Sequence, residues 1–188
     1  MSFQPANYSV HLFDIDDTLI TTSESYTRAY EKTLRDLTDV SYEELRTALL
    51  LFIKIFGSGL PGRIWEAVYK EAASAGKCLK YSPEEAAEQY LDWYMGMLSA
   101  YSSVEKYITE LKKMNISVGI ISNGDYKRQT EKLCAAGLFD LFNPDMIYVS
   151  SMFPEIDKKP SPVMIRQWIT NTAFSQPLRF IMVTDVKT

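Results

Sequence analysis

Two aspartates separated by one residue follow the first apolar segment of the chain. Asp14 and Asp16 come directly after residues 9–13 (SVHLF), and Asp17 and Thr18 continue the polar stretch. Paired carboxylates suit a hard cation that prefers oxygen ligands, such as Mg²⁺. They equally suit a nucleophile with a general acid beside it. The alternative is an aspartate-rich turn or helix cap, which is common in loops.

A second polar group follows the apolar segment 116–121 (ISVGII). Ser122 comes first, and Asn123, Gly124 and Asp125 precede a helical pattern. A hydroxyl followed by free backbone N–H groups at a helix N-terminus forms an anion-binding cradle. This arrangement predicts an anion site, and the alternative is an ordinary N-cap loop.

Lysines and a further aspartate complete the set of candidate groups. Lys158 and Lys159 lie just ahead of Ser161-Pro162, which opens another helical pattern. Lysine is a compact point charge that suits phosphate, although a solvated surface role is the alternative reading. Asp185 follows the last apolar segment, 179–184 (RFIMVT).

The elements that must position these groups alternate between strands and helices. Short apolar runs predict strands at 9–14, 116–121, 146–149 and 179–184, and helical spacing predicts helices at 104–114, 126–136 and 161–170. This alternation is typical of an α/β domain with a parallel sheet. Because ligands bind at the carboxyl ends of such strands, we expect the polar groups to meet at one edge of the sheet.

The roughly 80 residues between the first two strands carry only helical patterns. Helices are predicted at about 23–37, 41–57, 64–75 and 82–98. Two of them begin with capping boxes, Ser41-x-x-Glu44 and Ser82-x-x-Glu85. The sequence therefore predicts one α/β domain interrupted after its first strand by a helical insertion.

Composition limits the class of protein. The 188 residues are 46% hydrophobic and 23% charged, with a formal net charge of −4, so a packed core is expected and bulk binding to nucleic acid or an anionic membrane is not. Cys78 and Cys134 cannot make a disulfide framework, and His11 is the single histidine. These features, and an N-terminus without a signal-peptide pattern, predict a cytoplasmic protein. The sequence does not specify an oligomeric state.

Taken in order, Asp-x-Asp, Ser, Lys and Asp resemble the four motifs of the haloacid dehalogenase-like hydrolase superfamily. Residues 13–19 (FDIDDTL) look like its first motif, 121–124 (ISNG) like its second, 159–162 (KPSP) like its third and 183–185 (VTD) like its fourth. Residues 135–142 (AAGLFDLF) look like the stretch between the second and third motifs. The helical insertion resembles the type 1 cap of this superfamily.

The resemblance covers nearly the whole chain and implies a Rossmann-like catalytic core of residues 1–19 and 101–188 with a helical cap of residues 20–100. It implies that Asp14 is the nucleophile, forming an aspartyl-phosphate. It also implies that Asp16 is the general acid, which protonates the leaving oxygen and later assists the attack of water.

The remaining site residues follow from the same resemblance. Ser122, Asn123 and Lys159 would bind the phosphate, with Lys159 preferred over Lys158 because it directly precedes the proline. Mg²⁺ would be held by Asp14, by the Asp16 backbone carbonyl and by Asp185. A cation and a lysine there would offset the repulsion between a carboxylate and a phosphoryl group.

These features predict a Mg²⁺-dependent phosphatase acting on a small phosphorylated metabolite. Asp16 argues against a 2-haloacid dehalogenase, because a halide leaves without a proton, and a phosphomutase is a less favoured alternative. Arg63 ends a glycine-rich loop in the insertion and is a candidate for binding a second anionic group of the substrate. The alternative for Arg63 is a solvated arginine at a helix start.

The C-terminal end bears on a second hypothesis of another class. The resemblance implies a further acid a few residues beyond Asp185, and a helix and strand after it, whereas the sequence ends at Thr188. We therefore expect a fold that is truncated at its C-terminal end. The alternative function is a catalytically weak or inactive binding or regulatory protein.

Overall fold

Four parallel strands form one sheet, as the alternation of strands and helices predicts. The computed structural model describes residues 9–37, 42–57, 59–154, 158–159, 161–171 and 179–184. The strands are β1 (Val10–Phe13), β2 (Ser117–Ser122), β3 (Ile147–Val149) and β4 (Phe180–Val183). Their order is β3-β2-β1-β4, with β1 in the middle of the sheet between β2 and β4. The carboxyl ends of all four strands therefore lie along the same edge.

Three helices belong to this sheet. They are α5 (Val104–Lys113), α6 (Tyr126–Ala135) and α7 (Val163–Asn171), and all three agree with the predicted positions to within a few residues. Short 3₁₀ helices at Phe139–Leu141, Pro144–Met146 and Ser150–Met152 were not predicted. Single turns of this kind bury few residues, so they leave no hydrophobic period in the sequence.

The core beside the sheet depends on one close contact between a strand and a helix. Trp168 of α7 is fully buried, and its indole N–H donates to the Met146 carbonyl at 3.2 Å. A Cβ added at Gly119 of β2 would lie 2.8 Å from Trp168 Nε1. Only glycine lets the indole approach the strand this closely.

The insertion after β1 is helical, as predicted. It contains α1 (Thr22–Leu37), α2 (Tyr42–Phe56), α3 (Pro61–Ser74) and α4 (Pro83–Met97). Helix α3 begins three residues earlier than the predicted Ile64, because Pro61 is suited to the first helical turn, where its missing N–H costs no hydrogen bond. Tyr30 stacks on Tyr90 with ring centroids 3.8 Å apart, and Trp65 packs against Tyr30.

One of the two predicted capping boxes is present in the described residues. The Ser82 hydroxyl accepts from the Glu85 backbone N–H at 3.2 Å, and the Glu85 carboxylate accepts from the Ser82 backbone N–H at 2.7 Å. Ser41, which begins the other predicted box, lies outside the described residues.

The chain divides into two compact units. One comprises Met1–Thr22 and Leu98–Thr188, and the other comprises Ser23–Met97. The sequence placed the boundaries a few residues away, at 19/20 and 100/101, and the roles of catalytic core and cap remain predictions. Within the part of the chain that the structure describes, no helix is long and apolar enough to cross a membrane.

Candidate active site

Asp14 lies at the centre of the polar groups at the carboxyl edge of the sheet. Its backbone N–H donates to the Val183 carbonyl of β4 at 3.0 Å, which fixes the residue just beyond the end of β1. Its Oδ1 accepts from the Ile15 backbone N–H at 2.8 Å and from the Ser122 hydroxyl at 2.9 Å. Its Oδ2 lies 2.5 Å from Lys159 Nζ. The structure thus brings together Asp14, Ser122 and Lys159, as predicted.

Ser122 and Gln129 form a short chain of hydrogen bonds that ends on Asp14. Ser122 is the last residue of β2 and is fully buried. The Gln129 side-chain amide donates to Ser122 Oγ at 2.9 Å, and the Ser122 hydroxyl donates onward to Asp14. The serine hydroxyl is therefore oriented from both sides.

Asp16 is bound by two side chains of α6. Lys132 Nζ lies 2.7 Å from Asp16 Oδ1, and Gln129 Nε2 donates to Asp16 Oδ2 at 2.9 Å. Both partners are buried, with Gln129 2% and Lys132 9% exposed. Asp16 keeps about a third of its side chain accessible, since the carboxylate is 36% exposed. It can consequently meet a ligand while staying anchored to the helix.

Asn123 joins the loop after β2 to the segment that carries Lys159. Its side-chain oxygen accepts from the Lys159 backbone N–H at 2.9 Å, and its side-chain NH₂ donates to the Lys159 carbonyl at 3.3 Å. The amide thereby pairs with both backbone groups of one residue, as a neighbouring strand would. We infer that Asn123 holds the Lys159 backbone, whereas the sequence assigned it to phosphate.

The free backbone N–H groups predicted after Ser122 are partly occupied. The Gly124 N–H donates to Ser150 Oγ at 2.8 Å, and the Tyr126 N–H donates to Ser151 Oγ at 3.0 Å. Asp125 caps α6 by accepting from the Arg128 N–H at 3.0 Å. The two serines that follow β3 therefore take the Gly124 and Tyr126 amides, and the anion site predicted after Ser122 stays a prediction.

The loop after Asp16 closes on itself through backbone hydrogen bonds. Asp17 adopts a left-handed conformation with φ 55°, which is uncommon outside glycine. Its N–H donates to the Ile20 carbonyl at 2.9 Å, and its carboxylate accepts from the Thr22 hydroxyl at 3.1 Å. The Ile15 carbonyl accepts from the Leu19 N–H at 3.0 Å. This turn fixes the loop that carries Asp14 and Asp16.

His11 lies inside β1 and away from the polar edge. It is fully buried, and its Nδ1 lies 3.2 Å from the hydroxyl of Tyr107. Burial of the Tyr107 hydroxyl raises the pKa of that tyrosine. His11 is thus a packed core residue.

The described residues of this unit do not include two of the predicted site residues. Asp185 lies outside the described residues, so its position stays a prediction. Arg63 belongs to the helical unit, where it is exposed in the first turn of α3. Among the described residues, no group of three or more carboxylate, histidine or cysteine side chains is placed to hold a metal ion.

Sequence reasoning missed Gln129 and Lys132. Both lie on the buried face of α6 together with Leu133. Polar side chains at positions where an amphipathic helix should present apolar ones were the available signal. Asp16, from the loop after β1, is the partner that the two side chains share.

The fold and the polar cluster together define a hydrolase class. Residues 11–188 match the haloacid dehalogenase-like hydrolase family, and the chain belongs to that family.

Curated relatives and solved structures agree with this assignment. The chain is 29% identical over 184 residues to a glyceraldehyde 3-phosphate phosphatase of Pyrococcus furiosus, covering 94% of this chain and 72% of the relative. It is 28% identical over 139 residues to the enzyme of the same name from Methanocaldococcus jannaschii, covering 70% of this chain and 58% of that relative. The chain thus spans little more than half the length of the second relative.

Two structures show the same fold at low sequence identity. A Thermotoga maritima protein assigned provisionally as a beta-phosphoglucomutase superposes with a TM-score of 0.65 at 17% identity, covering 93% of this chain and 74% of that one. The HAD-hydrolase YfnB from Bacillus subtilis, solved with bound magnesium, superposes with a TM-score of 0.59 at 19% identity, covering 93% and 77%. Both support an α/β fold with a four-stranded parallel sheet and a helical insertion after the first strand.

Proposed function

We propose that this chain is a Mg²⁺-dependent phosphatase that hydrolyses a small phosphomonoester through an aspartyl-phosphate on Asp14. The observation that carries the proposal is the pairing of the Asp14 carboxylate with Lys159 Nζ at 2.5 Å and with the Ser122 hydroxyl at 2.9 Å. A nucleophilic carboxylate needs cationic and hydrogen-bonding groups beside it to meet an anionic phosphoryl group. These two side chains supply them.

The reaction balances with the residues present. Asp14 Oδ attacks phosphorus, the bond from phosphorus to the ester oxygen breaks, and the leaving oxygen takes a proton from Asp16. Water then attacks the phosphorus of the aspartyl-phosphate, Asp16 accepts a proton from that water, and phosphate and the free Asp14 carboxylate are released. Lys159 and Ser122 contact the phosphoryl oxygens in both steps.

The chemistry of the donor set fits magnesium. The Asp14 carboxylate and the Asp16 backbone carbonyl are hard oxygen donors of the kind Mg²⁺ prefers. Asp185 would complete the set from the end of β4. When bound, the ion would neutralise charge that develops on the transferred phosphoryl group.

The names of the relatives support one substrate class. Two proteins that share 28% and 29% identity with this chain are named glyceraldehyde 3-phosphate phosphatase, so a short phosphorylated sugar is the first substrate to assay. In this proposal the insertion is a cap, and Arg63 contacts a second anionic group where the substrate has one. A catalytically weak binding protein is the alternative, and it would retain phosphate binding without turnover.

The test is hydrolysis of an aryl phosphate and of glyceraldehyde 3-phosphate by the 188-residue chain, with and without Mg²⁺. Asp14→Asn is expected to abolish turnover by removing the nucleophile, while Asp140→Asn, an exposed aspartate in the same unit, should retain it. Phosphate binding without Mg²⁺-dependent turnover in folded wild-type protein would favour the binding-protein alternative. Phosphoryl labelling that persists in Asp14→Asn would identify a different nucleophile.

A further inference from the structure

Asp16 is held at both carboxylate oxygens by side chains that the family motifs do not include. Lys132 Nζ lies 2.7 Å from Oδ1, and Gln129 Nε2 donates to Oδ2 at 2.9 Å. A carboxylate is planar, so donors on both oxygens fix its position and its rotation together. We propose that Gln129 and Lys132 are positioning residues that aim Asp16 at the leaving oxygen. This inference rests on the proposed phosphatase function.

Helix α6 places both donors on one rigid face. Gln129 and Lys132 are three residues apart and so project from the same side of the helix. The helix starts directly after the loop that carries Ser122, and Asp125 caps it by accepting from the Arg128 N–H at 3.0 Å. The burial of Gln129 and Lys132 restricts their rotamers. Asp16 is thereby held by the helix that follows the strand of Ser122.

Gln129 also connects the general acid to the nucleophile. Its Nε2 lies 2.9 Å from Asp16 Oδ2 and 2.9 Å from Ser122 Oγ, and the serine hydroxyl donates to Asp14 Oδ1. A third acceptor, the Asn123 carbonyl, lies 2.8 Å from the same nitrogen. Three acceptors around one NH₂ group favour an amide donor and would repel a carboxylate. Gln129→Glu is therefore expected to lower kcat/KM for an alkyl phosphate more than Gln129→Leu does.

Gly124 leaves the space that this arrangement needs. Its φ is +131°, and a Cβ there would lie 3.3 Å from Gln129 Nε2. A side chain at this position would be strained in its backbone and would crowd the amide.

The alternative is that the Lys132–Asp16 pair only stabilises the fold. Asp16 is 36% exposed, and water can solvate its carboxylate when the lysine is removed. Ion pairs with an accessible partner contribute little to stability. A purely structural pair would also lower the rate for every substrate alike, whereas a positioning pair acts on the step in which Asp16 gives its proton.

The experiment compares two esters that differ in their need for that proton. An alkyl phosphate has a poor leaving group that must be protonated, and dinitrophenyl phosphate has a leaving group that departs as an anion. In Lys132→Met, kcat/KM for the alkyl ester is expected to fall about 10- to 100-fold, and that for the aryl ester by less than about threefold. Gln129→Leu also removes a donor to Ser122, so both rates should fall, with the alkyl ester losing about tenfold more than the aryl ester. Because both are measured on one preparation, their ratio does not depend on the folded fraction. KM for the alkyl ester should change little.

Two matched variants sharpen the result. Lys132→Arg keeps a cation at the same place and should recover part of the alkyl-ester rate. Lys127→Met removes an exposed lysine from the same helix and should leave the ratio unchanged. Equal losses of kcat/KM for the two esters in both Lys132→Met and Gln129→Leu would overturn the inference. Unchanged kcat/KM for both esters in both variants would overturn it as well.

A readout without turnover separates this inference from the proposed function. Crystal structures of the wild-type and Lys132→Met chains should show the Asp16 carboxylate in different rotamers. An unchanged Asp16 carboxylate in both Lys132→Met and Gln129→Leu would overturn the positioning role even in a protein that hydrolyses nothing. If Asp14→Asn keeps full turnover while the Asp16 carboxylate is displaced in Lys132→Met, the phosphatase proposal is refuted and the positioning of Asp16 is not.

Discussion

Lys159 Nζ lies 2.5 Å from Asp14 Oδ2, although the two residues are far apart in the chain. The lysine side chain is 21% exposed and the aspartate side chain 15%, so water screens the pair only partly. Asn123 holds the lysine backbone through two hydrogen bonds, which limits how far the cation can move. A cation fixed at this distance reduces the repulsion that a phosphoryl group would meet on approaching the carboxylate.

The first prediction concerns this lysine. Lys159→Met should lower kcat/KM by about 10²- to 10³-fold, because a charged group that contacts the phosphoryl oxygens stabilises the transition state. Lys159→Arg should recover only part of the rate, since a planar fork does not replace a point charge. Lys158→Met is the matched control and should stay close to wild type. If Lys158→Met loses turnover and Lys159→Met keeps it, the assignment of the two lysines is reversed.

Removing the metal is the second prediction. Treatment with a chelator should abolish turnover of an aryl phosphate, and added Mg²⁺ should restore it, because the ion neutralises charge on the phosphoryl group. Asp185→Asn should raise the Mg²⁺ concentration needed for half-maximal activity. Asp145→Asn, an exposed aspartate just before β3, is the control. Turnover that persists in the chelator would exclude the magnesium requirement.

The sequence predicted the residues that the backbone itself positions. Asp14 and Ser122 stand at strand ends, and parallel pairing of β1 with β2 brings strand ends together whatever the side chains do. Gln129 and Lys132 were missed because their role depends on a side chain that reaches across the fold, which no periodicity reports. The hydrogen bonds from the Gly124 and Tyr126 amides to Ser150 and Ser151 were not predicted either, because these serines belong to another loop.

The third prediction tests the contact between β2 and α7. Gly119→Ala should destabilise the fold by about 1 to 3 kcal/mol, because the added Cβ would overlap Trp168 and force the indole to shift. Gly96→Ala, at an exposed helical position where nothing lies within 4 Å of an added Cβ, should be neutral or stabilising by up to about 1 kcal/mol. Denaturant unfolding of both variants checks the pair. Equal stability of the two variants would contradict this account of the core.

The fourth prediction is the pH dependence of stability at the helical unit. Burial, reinforced by Glu85 and Glu84, raises the pKa of Tyr69 from 10.0 to about 12. The folded state therefore keeps the proton that the unfolded state releases, and stability that is present below pH 10 is lost as the pH rises towards 12.

Tyr69→Phe removes this source of pH dependence. Unfolding measured at about pH 9 and about pH 11 should show a smaller loss of stability in Tyr69→Phe than in the wild type. Tyr101→Phe, which removes the hydroxyl of an exposed tyrosine in the other unit, is the control and should behave like the wild type. Parallel losses in the wild type and Tyr69→Phe would show that other groups control the alkaline limit.

The last prediction assigns substrate selection to the insertion. Arg63 is exposed in the first turn of α3, and nothing in the sequence of that helix explains a cation there, because a helix N-terminus favours negative charge. Arg63→Ala should raise KM for a substrate with a second anionic group by about 10-fold, the effect of losing one charge-assisted contact, and leave KM for a plain aryl phosphate unchanged. Arg28→Ala, an exposed arginine of the same unit paired with Glu24, is the matched control. Unchanged KM values for every phosphorylated substrate would return Arg63 to the role of a solvated arginine.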